Sequence, residues 1–247
     1  DLEHPLFNVI NGGTIKNINF ENVDINRPGQ NQIATLGFNL KNKGLIEDVK
    51  VTGSVTGNND VAGIVNKIDE DGRIENVAFV GKINSVGNNS TVGGIAGSNY
   101  MGFVNRAYVD ATITANNANA SMLVPFVTYM LNSWKSGTKA KVTNSVAKGV
   151  LDVKNTRNVG GIVAKTWPYG AVQDNVTYAK VIKGQEIFAS NDVNDEDGGP
   201  HIKDLFGVVG YSSAEDGTGK DTKSPKKLKH LTKEEADKRV EGYKITA

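Results

Sequence analysis

A motif of about thirty residues recurs through this chain, and its clearest copy reads Gly72-Arg73-Ile74-Glu75-Asn76-Val77-Ala78-Phe79-Val80-Gly81-Lys82-Ile83, closed by Val92-Gly93-Gly94-Ile95-Ala96. Six copies align on the anchors Ile15, Ile46, Ile74, Val104, Val142 and Val172, spaced 31, 28, 30, 38 and 30 residues apart. Such a period marks a repeat architecture: one unit is too small to close a core and must bury its apolar side chains against its neighbours.

The columns within the repeat specify which architecture. Ile74 and Asn76, then Val77, Phe79, Gly81 and Ile83, alternate with a period of two on either side of a one-residue phase slip. Two short strands meeting at a bend have this pattern, and a helix does not. Val, Ile, Phe and Thr fill the runs while Gly and Asn punctuate them, which is strand-and-turn composition. At anchor plus seven stand Gly53, Gly81, Ala111, Gly149 and Ala179, and at anchor plus nine Val55, Ile83, Ile113, Leu151 and Val181. In the first copy Asn22 and Asp24 occupy these phases and Ile25 arrives one residue late, as in an atypical terminal unit. The second half of each unit ends on an apolar residue, as in Ile33 to Leu36, Val61 to Ile64, Val92 to Ile95, Ala120 to Leu123, Val159 to Ile162 and Leu205 to Val208.

The fold expected is all-β: a parallel β-helix (solenoid) of about six rungs, with two inserted loops and a short C-terminal helix. Stacked at ~4.8 Å, its rungs share backbone hydrogen bonds and apolar columns. The polar column two residues after the anchor, Asn17, Asp48, Asn76, Arg106, Asn144 and Asp174, invites side-chain bonding from rung to rung, as in cross-β ladders. Asn17, Asp48, Asn76, Asn144 and Asp174 are therefore read as a structural ladder. The glycines mark bends and close backbone approaches, and no phosphate-binding glycine motif is present.

Charge divides the chain. From Lys220 to Ala247 there are nine Lys or Arg against five Asp or Glu, while the whole chain carries a net +1, so the body is mildly acidic and the tail basic. Residues 1–222 are assigned to the solenoid and 223–247 to a basic linker and a short capping or connecting helix. Thr232 and Glu235 form a capping box ahead of Ala236, Val240 and Tyr243. Neither part concentrates charge as a nucleic-acid reader does. Cysteine is absent, which removes disulfides, thiol nucleophiles and thiolate metal sites. No stretch approaches the ~20 apolar residues of a bilayer span. Beginning at Asp1 without an initiator Met or a signal segment, the sequence reads as a piece of a longer protein.

Solenoids carry specific function where the repeat is interrupted, because loops grow without disturbing the stacked core. One insertion runs from Pro125 to Lys139, where Phe126, Met130 and Trp134 fall four apart and predict a short amphipathic helix. The other runs from Asn191 to Lys203. Its Asp192 and Asn194 fit the opening of a calcium loop, but Asp197 stands where the turn glycine belongs and no acidic residue closes the loop. A third feature, Thr166-Trp167-Pro168-Tyr169, occupies the turn between the fifth and sixth units. Phe126, Tyr129, Trp134, Trp167 and Tyr169 are the candidate contact residues, with packing within the domain as the competing reading.

Catalytic constellations are not found. The three histidines, His4, His201 and His230, sit in terminal, inserted or linker segments, and neither His-Glu-x-x-His nor Gly-x-Ser-x-Gly occurs. A glycan-cleaving β-helix would need paired carboxylates. Asp48 and Asp174, however, belong to one repeated column several rungs apart. No catalytic or metal-ligating residue is nominated.

The run Val92-Gly93-Gly94-Ile95-Ala96-Gly97-Ser98-Asn99-Tyr100-Met101-Gly102-Phe103-Val104-Asn105-Arg106-Ala107-Tyr108-Val109, with its sisters at Val61 and Val159, resembles the GLUG repeat. Thr56 to Gly63 and Ile83 to Gly87 resemble the non-catalytic region of the streptococcal IgA-specific zinc metalloproteases, and the similarity covers nearly the whole chain. That resemblance implies a parent that is a secreted, cell-wall-associated virulence factor cleaving the immunoglobulin A hinge. The zinc motif would lie C-terminal to these residues, so zinc belongs to the parent and no cofactor to this piece. The partners implied are the immunoglobulin A heavy chain and adjacent domains of the same protein, with no nucleic acid and no membrane span. A structural or adhesive spacer without substrate contact is the alternative.

Overall fold

The computed structural model describes residues 4–88, 90–127, 140–154, 158–166, 171–173, 175–182 and 188–191, together with Glu234 and Lys238. Its strands are all parallel to their neighbours and wind as a three-sided β-solenoid. Strand β1 (Phe7–Asn11) lies ahead of the first full turn. Turn one holds β2 (Thr14–Arg27) on a long face, a single bridge at Ile33 on a short face, and β3 (Gly37–Lys41) on a return face. Turn two repeats the order with β4 (Leu45–Gly57), β5 (Val61–Ala62) and β6 (Val65–Ile68). Turn three has β7 (Arg73–Ser85), β8 (Thr91–Gly93) and β9 (Ala96–Asn99).

From turn four the long strand is split at its bend. Turn four reads β10 (Phe103–Asn105), β11 (Tyr108–Asn116), β12 (Asn119–Ser121) and β13 (Phe126–Val127). Turn five reads β14 (Lys141–Thr143), β15 (Val146–Lys154), β16 (Asn158–Gly160) and β17 (Val163–Thr166). A sixth turn is described in part, through β18 (Ala171–Gln173), β19 (Val176–Thr177), β20 (Lys180–Val181) and β21 (Phe188–Asn191).

The sequence anchors are register partners. Ile15 pairs with Ile46, Ile46 with Ile74, Ile74 with Val104, Val104 with Val142 and Val142 with Val172. Ile25, Val55, Ile83, Ile113, Leu151 and Val181 form a second file. Ile33, Val61, Val92, Ala120 and Val159 form a third. From the second turn to the fifth these files are fully buried, and each branched side chain withdrawn from water contributes roughly 1.5–3 kcal/mol. The late arrival of Ile25 is a bulge between Phe20 and Val23 that restores register with Val55.

The phase slip has a backbone cause. Asn17, Asp48, Asn76, Arg106 and Asn144 all have positive φ, between 50° and 56°. One left-handed residue per turn bends the long face, and Asn and Asp tolerate that conformation better than other residues with a side chain. Asn76 donates to Asp48, whereas Asn144 donates to Asn105, 2.8 Å away, one residue out of the column. The bend recurs at each described position of the column, and rung-to-rung side-chain bonds occur in several files. Asp174 lies outside the described residues.

Glycine fits the files where backbones touch. A Cβ on Gly63 would stand 2.7 Å from the ring of Phe79, the largest fully buried side chain, and 2.1 Å from the Gly94 carbonyl oxygen. Beyond Asn191, Glu234 and Lys238 are helical and joined by a 3.0 Å bond one helical turn apart, within the segment predicted as the C-terminal helix. Among the described residues, no helix is long and apolar enough to cross a membrane.

Candidate functional site

Each turn closes where the return face gives way to the next long strand. Between turns one and two this corner is the two-residue bend Asn42-Lys43, with φ of 51° and 62° and a 2.9 Å bond from Gly44 N to the Lys41 carbonyl. Between turns two and three Glu70 and Asp71 repeat it, with φ of 43° and 62° and a 2.8 Å bond from Gly72 N to the Asp69 carbonyl. Paired left-handed residues are the signature of a type I′ turn.

At the next corner a side chain takes over. Buried Asn99 accepts from Gly102 N at 2.7 Å and donates to the carbonyls of Gly102 and Lys141 at 3.0 and 3.2 Å. This uses both amide donors and pairs the amide oxygen inside the stack. The freed turn carries Tyr100 and Met101.

The following corners are where the sequence places its interruptions. Val127 pairs with Asn99 and Thr166, and Thr166 pairs with Asn191. These strand ends stand in one file on three consecutive turns, and in the sequence each borders or lies within an interruption: Pro125 to Lys139, Thr166 to Tyr169, and Asn191 to Lys203. Tyr129, Trp134, Trp167 and Tyr169 belong to these segments and lie outside the described residues. Phe126 does not open a helix: it lies in β13, with its backbone paired to Lys165. Strand pairing on both sides of β13 holds Phe126 extended. Met130 and Trp134, the rest of the predicted helix, lie outside the described residues, as do the calcium-loop positions Asp192, Asn194 and Asp197.

Half-buried aromatics, each beside a cation or a second ring, flank this corner on both sides. On the return face the Phe126 and Tyr100 rings meet at 5.8 Å with their planes tilted by 53°, and the Lys67 ammonium stands 4.8 Å from the Tyr100 ring centroid. Lys67 is also held by Asp69 at 2.6 Å. On the long face the Arg73 guanidinium lies 5.3 Å from the Phe103 ring, and Phe103 is the register partner of Lys141. Next to it burial raises the Glu75 pKa, against the lowering effects of a 2.7 Å bond from the Asn105 amide and the charge of Arg106, while Glu47 and Asp48 raise it further. Rings beside fixed cations supply large contact areas with a polar rim, which suits recognition and not bond making.

Tyr100 and Lys67 are not among the sequence candidates. The signal for Tyr100 was present: Asn42, Glu70 and Tyr100 each stand four residues before their anchor, so one column exchanges turn formers for an aromatic. Lys67 carries no such mark. Among the described residues no group of three or more His, Asp or Glu is placed to hold a metal ion. His4 is described, while His201 and His230 lie outside the described residues.

Residues 1–53 match the family model of the M26 IgA1-specific metallo-endopeptidase N-terminal region. This model describes the same family of proteases that the sequence resembles. The chain is 53% identical over its whole length to zinc metalloprotease ZmpB of Streptococcus pneumoniae serotype 4 (strain ATCC BAA-334 / TIGR4), of which it spans 13%. It is 29% identical over its whole length to zinc metalloprotease ZmpC of the same strain, spanning 12% of that protein. To an immunoglobulin A1 protease of Streptococcus sanguinis it is 27% identical over 68% of the chain, which is 9% of that relative. The M26 N-terminal match covers β1, β2, β3 and most of β4, so it lies on the first two turns of the stack.

Proposed function

We propose that this chain is a non-catalytic, substrate-positioning scaffold domain of a secreted, cell-wall-associated zinc metalloendopeptidase that cleaves the immunoglobulin A hinge. The catalytic zinc belongs to another part of the parent. The observation supporting this reading is that the strand ends Val127, Thr166 and Asn191, which border all three repeat interruptions, stand in one file beside the ring and cation contacts of Tyr100, Phe126 and Lys67. A stack braced by three parallel sheets holds such a corner stiffly. Binding energy collected there, away from the scissile bond, orients a large substrate before attack. Phe126, Tyr129, Trp134, Trp167 and Tyr169 are the proposed contacts, and the immunoglobulin A heavy chain is the proposed partner. The GLUG assignment of the repeat belongs to the same proposal.

The test pairs binding with turnover. The chain should bind intact immunoglobulin A1, and Phe126→Ala with Tyr100→Ala should weaken that binding by about tenfold, as loss of two aromatic anchors does. In the parent enzyme the same pair should lower kcat/KM on the intact antibody while leaving a short hinge peptide unaffected. Unchanged kinetics on the antibody would remove the positioning role. They would favour a structural or adhesive spacer with no substrate contact, a reading that the plain rod of five complete turns also suits.

A further inference from the structure

One buried file of the return face, Ile10, Leu40, Ile68, Asn99 and Val127, is apolar except at Asn99, which is fully buried. At that height, between turns three and four, the return face is thinly laddered. Strands β3 and β6 share three register pairs, as do β6 and β9, whereas β9 and β13 share only Asn99 with Val127 among the described residues. Pro125 accounts for part of this. It is buried, directly precedes β13 and has no N–H to give to turn three. A Cβ on Gly93 would stand 2.1 Å from the Ala96 carbonyl oxygen and 2.7 Å from Pro125 Cδ, so the proline ring and that carbonyl border the same small space.

The other two faces are joined closely at the same height. On the long face β7 pairs with β10 over Arg73 to Glu75 and with β11 over Ala78 to Asn84. On the short face β8 pairs with β12 at three positions, and the ladder continues as Gly94 N donates to the Met122 carbonyl and Ile95 N to the Leu123 carbonyl, both at 3.0 Å. Resistance to local opening follows the density of such bonds, so turns three and four part first on the return face. A side chain closes that face. Asn99, at the end of turn three, donates to the carbonyls of Gly102 and Lys141, which open turns four and five. A buried amide that loses its partners is costly, so these bonds hold or release together.

We propose that the solenoid opens locally on its return face between turns three and four, hinged on the long face and latched by Asn99. The rings of Tyr100 and Phe126, 5.8 Å apart, follow β9 of turn three and begin β13 of turn four, so release of the latch parts them. Latched, the corner has the stiffness that positioning requires; released, it does not. The opening belongs to the stack alone and is measured without antibody, so it stands or falls separately from the positioning role.

Native-state hydrogen exchange of the whole chain tests this. Corrected for intrinsic rates, the β13 amides should exchange about tenfold or more faster than those of β11. Pro125→Ala supplies the missing N–H and should slow β13 exchange about fivefold, the worth of one backbone bond. Asn99→Asp keeps the acceptor but removes both donors, and should speed β13 exchange about tenfold while leaving β4 unchanged. The chain has no cysteine, so a pair placed across the gap reports on it directly. Ser98→Cys with Phe126→Cys, neighbours in the register of Asn99 with Val127, forms a disulfide that should slow β13 exchange to the β11 level when oxidised and release it when reduced. This clamp decides the matter even where Asn99→Asp fails to fold. Exchange of β13 as slow as β11 in the parent chain would overturn the proposal, and so would a clamp that leaves β13 exchange unchanged.

Discussion

Replacing Gly81 by Ala tests the close stacking on which the solenoid depends. Gly81 has φ of +149°, a backbone conformation that residues with a Cβ rarely adopt, and holding alanine there costs about 1–3 kcal/mol. The new Cβ would also lie 1.9 Å from the Gly53 carbonyl oxygen, with the Gly53 carbonyl carbon and nitrogen at 2.9 and 3.0 Å. That oxygen is backbone in the neighbouring turn, so the contact is relieved only by parting two turns. Parting them weakens ladder bonds worth about 1 kcal/mol each. The combined loss is about 3–5 kcal/mol, measured by equilibrium urea unfolding followed by circular dichroism. Because Gly81 sits on the third of five complete turns, its loss also uncouples the two sides of the stack and broadens the transition. Gly29→Ala is the control: nothing lies within 4 Å of its Cβ, and its stability should stay within about 1 kcal/mol of the parent chain. A Gly81→Ala chain equally close to the parent would refute the account of the packing.

Two other substitutions separate effects that the repeat superimposes. At the bend, Asn76→Val should cost about 1–2 kcal/mol more than Asn76→Gly in the same unfolding assay, because both remove the bond to Asp48 but only valine resists φ of 53°; equal losses would mean that the ladder bond, and not the bend, selects the column. For Glu75 the folded-state pKa is raised, chiefly by burial, so the folded chain holds this proton more tightly than the unfolded one and the stability it contributes is lost as pH rises through and above the ordinary glutamate range. Glu75→Gln should therefore gain in melting temperature over the parent chain as pH moves from acid to neutral, and parallel melting profiles would contradict the assignment.

Much of the fold is legible in the sequence because a parallel stack turns sequence period directly into spatial register. The files through Ile46 and Ile74, and through Val55 and Ile83, follow from counting residues, since side chains at one phase must lie above one another. The phase slip at Asn76 was equally visible, though its cause, a left-handed residue, is a backbone property that the letters only suggest. Phe126 shows where counting fails. Its spacing to Met130 and Trp134 fits a helix, but Phe126 and Val127 pair as strand β13, and that preference belongs to the neighbours in space.

The sequence by itself determined the repeat, the strand character of its units, the glycine and asparagine positions and the segments that interrupt the pattern. Local sterics and alternation decide all of these within a single unit. Only the tertiary structure decided that the strand ends Val127, Thr166 and Asn191 stand in one file and that Tyr100 and Lys67 stand beside Phe126. Those facts depend on residues about thirty or more positions apart being brought to neighbouring heights by winding, a relation set by where each turn closes and not by any one segment.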